Sequence, residues 1–416
     1  MKQILLVCGL VFIAATSFCQ TARIVGYLPT YRFSSSNQIE YCRLTHLNLA
    51  FANPDSAGNI EMPDISSVIS DALNDNPGIN ICISLAGAGL SAEQTENWSN
   101  LIDIPSNRPA FIAKIVDYVL LNHLDGVDVD LEWEHVTSGY SGFVTELDSA
   151  LDRHNKIITA AFPNQTLFSA VSDDALDAFD FINIMSYDAT GPWNPSSPGQ
   201  HSSYSYAVNG INFWKNNVGI SGDKLTLGLP FYGYDFVSSS TVNAVTYASM
   251  VAMDVSYADI DNVGTAYYNG RPSIEAKVNL ADNEVGGVMI WELGQDSFDE
   301  YSLLRSLHNK YTSLGIFTSG LCGNEGTFSL SDNVLSEDYT IYPNPCSDYF
   351  TLRQGYSENT SVVISNLLGQ IIDLEARPGT SDELYFDIEG LVSGLYIITV
   401  FKEGQIPQTY KLIKSP

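Results

Sequence analysis

Basic residues are scarce in this chain. Lys and Arg number 19 against 48 Asp and Glu in 416 residues, a formal net charge of −29. A field of that sign repels phosphate backbones, so nucleic acid and anionic membrane surfaces are poor candidates as partners. A neutral ligand such as a polysaccharide is unaffected. Cysteines are few, six in all, and Cys42, Cys82, Cys322 and Cys346 lie without CxxC spacing. No zinc site is expected from them, no His cluster suggests another metal, and no cofactor is implied. In an exported chain Cys42 and Cys82 can form a bridge or remain two buried thiols. No apolar run of about 18 residues follows the N-terminal segment, so no membrane span is expected in the mature protein. Scarcity of charge does not mean disorder here, because 45% hydrophobic and 11% aromatic residues supply a large core.

The first 19 residues read as an address. Lys2 gives the positive end, Ile4 to Ala15 is an apolar run, and Ser17 and Cys19 are small residues before a cut at Gln20. This is the pattern of a secretory signal peptide. From Arg23 to about Tyr311 short apolar runs alternate with longer amphipathic ones. Strands are expected at Ile24–Leu28, Leu44–Phe51, Ile79–Leu85, Gly126–Leu131, Ile157–Phe162, Phe181–Ser186, Leu225–Leu229 and Gly287–Trp291. Several are apolar almost throughout, as strands covered on both faces are. Helical patterns separate them, at Arg108–His123, Tyr140–His154 and Ser205–Asn216 among others. The fold class expected is α/β, a (β/α)8 TIM barrel over residues 20–311. Residues 312–338 are rich in Gly, Ser, Asn and Asp and read as a linker. Short strand-like runs between turn residues then predict a small all-β sandwich over 339–416.

The fourth strand reads Asp125-Gly126-Val127-Asp128-Val129-Asp130-Leu131-Glu132. With a period of two, Asp128, Asp130 and Glu132 share one face, and Val127, Val129 and Leu131 share the other. In a barrel the carboxylates point inward, roughly 6.6 Å apart along the strand. Buried together they cannot all stay ionised, so at least one holds a proton near neutral pH. Glu132 is nearest the C-terminal mouth, where barrel active sites sit, and suits a protonated general acid, with Asp128 and Asp130 sharing a proton beneath it. A DxD can also hold a divalent metal, and an edge strand of this pattern would face water. The apolar flanks and central place of the strand argue against both.

Asp125 to Glu132 resembles the DGxDxDxE signature of family-18 glycoside hydrolases, the chitinase family. Three further motifs fall in order at strand ends and resemble the same family: Met185-Ser186-Tyr187-Asp188, Leu229-Pro230-Phe231-Tyr232-Gly233, and Gly286-Gly287-Val288-Met289-Ile290-Trp291-Glu292-Leu293. The resemblance implies a secreted endo-acting chitinase that cuts chitin or chito-oligosaccharides by substrate-assisted, retaining catalysis; a monomer is expected. It implies Glu132 as acid, Asp130 and Tyr187 as partners of the substrate acetamido group, and Asp128 as a group that tunes Asp130. Asp188, Met185, Trp291, Trp193, Tyr232, Tyr27 and Phe51 are the implied substrate-binding residues. Two rivals share the barrel: an endo-β-N-acetylglucosaminidase acting on the N-glycan core, and a chitin lectin, which lacks the acid. Strand three departs from the family pattern, with Ser84-Leu85-Ala86-Gly87-Ala88 where a glycine and an aromatic residue are usual. The stretch from Tyr232 to Val285 looks too short for the added α+β domain of some members, so a shallow groove is expected.

The C-terminal segment shows Tyr342-Pro343-Asn344-Pro345, Asn366-Leu367-Leu368-Gly369-Gln370, Leu391-Val392-Ser393-Gly394-Leu395-Tyr396 and Lys411-Leu412-Ile413-Lys414. These resemble the sorting domain of the type IX secretion system of Bacteroidetes. The resemblance implies export by that machinery to the medium or the cell surface. A carbohydrate-binding module is the alternative. No tryptophan follows the linker, while Tyr342, Tyr349 and Tyr396 are the tyrosines to consider for sugar stacking.

Overall fold

A computed structural model describes residues 22–316, 340–353, 360–366, 371–372, 374, 376–378, 383–402 and 408–415. The N-terminal address and nearly all of the expected linker lie outside these. The chain forms two compact units, divided after Glu325.

In the first unit eight strands run parallel: Arg23–Pro29, His46–Pro54, Asn80–Ala86, Gly126–Asp130, Ile157–Pro163, Phe181–Met185, Leu225–Pro230 and Gly287–Trp291. Each pairs with its neighbour in sequence, and the first pairs with both the second and the eighth, so the sheet closes. This is the expected (β/α)8 barrel. Val127, Val129 and Leu131 join the outer core with Phe111, Ile115 and Leu147 of the surrounding helices. Asp128 and Asp130 therefore turn inward. The first connection holds only 3₁₀ turns, Thr30–Gln38 and Tyr41–Arg43.

Three features differ from the sequence expectation. A helix at Ala92–Ile102 follows the third strand, opened by a capping box between Ser91 and Gln94. The stretch between the seventh and eighth strands, read as too short for an added α+β domain, carries a sheet and a helix of its own. Tyr232–Ser238, Thr241–Thr246, Asn262–Val263 and Ala266–Tyr267 form a four-stranded antiparallel sheet, with a helix at Tyr247–Met253. Alternation in Tyr-Gly-Tyr-Asp-Phe-Val-Ser and a short turn to Thr241 suffice for a hairpin. Finally, Cys82 is a buried free thiol while Cys42 is disulfide-bonded to a partner outside the described residues. A Cys42–Cys82 bridge is thus excluded, and so is a pair of free thiols there.

The second unit holds two four-stranded antiparallel sheets around a core of Phe350, Leu352, Ile364, Leu384, Phe386, Ile398, Val400 and Leu412. The small all-β fold is as expected, with one extra short strand at Ala376–Pro378. Tyr396 is buried and donates its hydroxyl to the Val392 carbonyl, so it offers no surface for stacking. Tyr342 and Tyr349 are exposed. Among the described residues no helix is long and apolar enough to cross a membrane.

Candidate active site

Strand register assembles the centre of the barrel. Asp128 is level with Ser84 on the third strand and Thr159 on the fifth. Inward side chains at one level of a closed barrel meet. Ser84 Oγ and Tyr27 Oη donate to Asp128 Oδ2, each at 2.7 Å, and Thr159 Oγ1 donates to Oδ1 at 2.6 Å. Asn183 Nδ2 adds a longer bond to Oδ1 at 3.3 Å, and Thr226 Oγ1 holds the Asn183 carbonyl at 2.7 Å. Burial raises the Asp128 pKa, and these donors work against that rise.

Asp130, one layer nearer the mouth, is treated differently. It is buried, its Oδ1 has no hydrogen-bond partner, and its pKa stands well above the carboxylate range through burial and the charges of Glu132 and Asp128. Of the two aspartates, we assign the charge to Asp128, which has four donors, and the proton to Asp130. Glu132 follows on extended backbone at the end of the strand. Burial, with a smaller contribution from Asp188, lifts its pKa to about 7. A carboxylic acid at that value still carries a transferable proton near neutrality.

These groups open into a cavity of about 420 Å³ at the C-terminal mouth. Asp130, Glu132, Tyr187, Asp188, Met185 and Trp291 line it, as do Tyr27 and Phe51. Trp291 stacks on Phe51 at 5.5 Å and meets the edge of Tyr27 at 5.6 Å, so its ring is braced from two sides. The peptide bonds Ala50–Phe51 and Trp291–Glu292 are cis. Tyr187 is buried, with its hydroxyl 3.8 Å from Met289 Sδ. Burial keeps its phenol protonated. Asp188 sits at φ +64° and accepts from the Tyr232 and Tyr234 hydroxyls at 2.6 and 3.0 Å.

Two residues named from the sequence lie elsewhere. Tyr232 is outside the cavity lining and touches the site through Asp188. Trp193 is also outside that lining, 59% exposed and edge-on to Tyr234 at 5.8 Å. No residue of the small sheet lines the cavity. Ser84, Thr159, Asn183, Tyr234 and His201 were not foreseen. The first three carry a visible signal, being polar residues at inward positions of otherwise apolar strands. Tyr234 and His201 carry none, since only folding brings them to Asp188. At Ala86, where the family pattern has glycine, φ is +77°. Alanine there costs roughly 1–2 kcal/mol of backbone strain. Among the described residues no group of side chains could hold a metal ion.

Over residues 23–296 the chain matches the family profile described as Glycosyl hydrolases family 18. Over residues 340–415 it matches the one described as Secretion system C-terminal sorting domain. The GH18 chitinase ChiB from the chitin utilization locus of Flavobacterium johnsoniae is 53% identical, with a TM-score of 0.72 over 73% of this chain and 98% of that one. A chitinase from Bacteroides thetaiotaomicron is 28% identical, with a TM-score of 0.63 over 72% of this chain and 99% of that one. Probable chitinase 10 of Drosophila melanogaster is 25% identical over 304 residues, 57% of this chain. The chain spans 13% of that relative's length and 55% of the next, a chitinase-like effector of Moniliophthora roreri.

Proposed function

The chain belongs to the family-18 glycosyl hydrolases and ends in a type IX sorting domain that marks secreted or cell-surface proteins, and on that footing we propose that it is an endo-acting chitinase. Its substrate is chitin or chito-oligosaccharide, cut with retention of configuration. The observation that carries this reading is Glu132, a buried carboxyl held at about 7 at the rim of a cavity with an aromatic floor and a buried tyrosine hydroxyl.

Glu132 protonates the glycosidic oxygen as the bond to C1 breaks. Among the described lining residues no second carboxylate is needed as nucleophile, because the substrate's own N-acetyl oxygen attacks C1 and forms an oxazolinium ion. Tyr187 donates its hydroxyl to that oxygen and keeps it beneath C1. Asp130 accepts the acetamido N–H and offsets the positive charge that develops on nitrogen, giving up its own proton toward the aspartate below. Asp128, the charged partner surrounded by four donors, receives that proton and is neutral while the charge sits on Asp130. Trp291 supplies the apolar floor for the sugar ring. Asp188 bonds sugar hydroxyls at the edge of the site, with Met185 beside it. Trp193 and Phe51 extend the contact surface, and Tyr27 braces both Asp128 and Trp291. Water then opens the oxazolinium, with Glu132 acting as base.

Product analysis tests the substrate class. Chitohexaose is expected to be cut internally, while a high-mannose glycopeptide is left intact. Cleavage of the glycopeptide alone would make the protein an endo-β-N-acetylglucosaminidase, and binding without cleavage would make it a lectin.

A further inference from the structure

Behind the Tyr187–Asp188 turn lies a buried cation that no step above uses. Lys277, on the helix Arg271–Glu284, is 1% exposed. Its Nζ donates to the Ser202 carbonyl and to Ser202 Oγ, each at 2.7 Å, and to Asn269 Oδ1 at 2.6 Å. All three must accept. Ser202 Oγ gives its own hydrogen to the Ser186 carbonyl at 2.6 Å, and Asn269 turns its Nδ2 to the Ser202 carbonyl at 3.1 Å. Three acceptors match the three hydrogens of an ammonium, whereas a neutral amine would turn its lone pair on one of them. Burial draws the lysine pKa down to about 7, with the charge of Asp261 holding back part of the fall.

The loop strip that this ammonium grips is itself bonded to the turn carrying the site residues. Ala189 N–H donates to the His201 carbonyl at 2.9 Å, and Asp188 N–H donates to His201 Nδ1 at 3.3 Å. The other ring nitrogen of His201 faces the Tyr232 carbonyl at 3.1 Å and so carries the hydrogen. With Ser202 on Ser186, three bonds therefore fasten the segment from Ser186 to Ala189. That segment needs fastening, because Asp188 is a non-glycine residue at φ +64°. Such a conformation persists only when its surroundings over-determine it.

We propose that Lys277 is a positioning residue for the sugar-facing turn: its ammonium clamps Ser202, and through Ser202 and His201 it holds Tyr187 and Asp188 in place. The consequence for turnover rests on the reading that these two residues orient the substrate. The consequence for the turn itself does not.

Lys277→Met keeps the aliphatic stem and removes all three donors. In the purified full-length protein, hydrogen exchange at the Asp188 and Ala189 amides is expected to quicken at least tenfold. Turnover of chitotetraose is expected to fall between about 10- and 100-fold, the scale of a small misplacement of reacting groups. KM should change by less than about threefold. In an Asp188→Ala background the same substitution should cost much less, since the two act as one unit. Should Lys277→Met fail to fold, Ser202→Ala cuts the link to Ser186 and is expected to move both readouts in the same direction by less. Unchanged exchange at Asp188 and Ala189, or a full additional loss in the Asp188→Ala background, overturns the proposal. A wild type inactive on chitotetraose would refute the substrate reading instead, and the exchange measurement would still decide on Lys277.

Discussion

Glu132→Gln is expected to stabilise the barrel at alkaline pH and to leave its stability unchanged in acid. In the fold the Glu132 carboxyl is raised from its ordinary value of 4.5 to about 7, because burial disfavours the charged form and Asp188 adds repulsion. A raised folded pKa means that the native state binds more protons than the unfolded chain between those two values. Stability from this group is therefore fully present below about 4.5 and is lost as pH rises through about 7. At roughly 1.36 kcal/mol per pH unit, the difference is about 3 kcal/mol. Glutamine has nearly the same shape and is neutral throughout, so it escapes the loss. It also relieves Asp130, whose carboxyl the Glu132 charge helps to push up. The assay is urea unfolding of wild type and variant at about pH 4.5, 6, 7.5 and 9, read by tryptophan fluorescence. The two curves of stability against pH should start together and separate in favour of the variant by a few kcal/mol. A difference that stays constant across the series would show that Glu132 titrates as an ordinary surface carboxyl, and the assignment of the acid would lose its physical basis.

Three further outcomes are expected. The same Glu132→Gln variant should bind chito-oligosaccharide, measured by calorimetry, while turnover falls at least about 100-fold, the scale of general-acid catalysis. Fully deacetylated oligomers should not be cut, and a thiazoline analogue of the oxazolinium should inhibit competitively; brisk cleavage of chitosan would instead call for a conventional carboxylate pair. A chain truncated after Glu325, where the first unit ends, should hydrolyse soluble chito-oligomers at the full-length rate. In its host the same truncation should remain in the periplasm, and its appearance in the medium would show that export does not depend on the sorting domain.

The barrel was legible because its strands are apolar on both faces and its helices on one, a pattern set by period alone. The three acids of the fourth strand were legible for the same reason. Alternation puts Asp128, Asp130 and Glu132 on one side whatever the rest of the chain does. Sequence could also say that acids packed so closely cannot all be charged. It could not say which one keeps the charge. That depends on Ser84, Thr159, Tyr27 and Asn183, which come from four other strands and meet Asp128 only through the register of a closed barrel. The small sheet after the seventh strand was hard to read because Thr241–Thr246 has no buried residue and two of the other strands are two residues long, which leaves little apolar period. Tertiary structure alone brought Tyr232 onto Asp188, left Trp193 on the surface outside the cavity lining, and set Lys277 beneath the turn. These placements are contacts between residues far apart in the chain, and periodicity carries no information about which distant positions will meet.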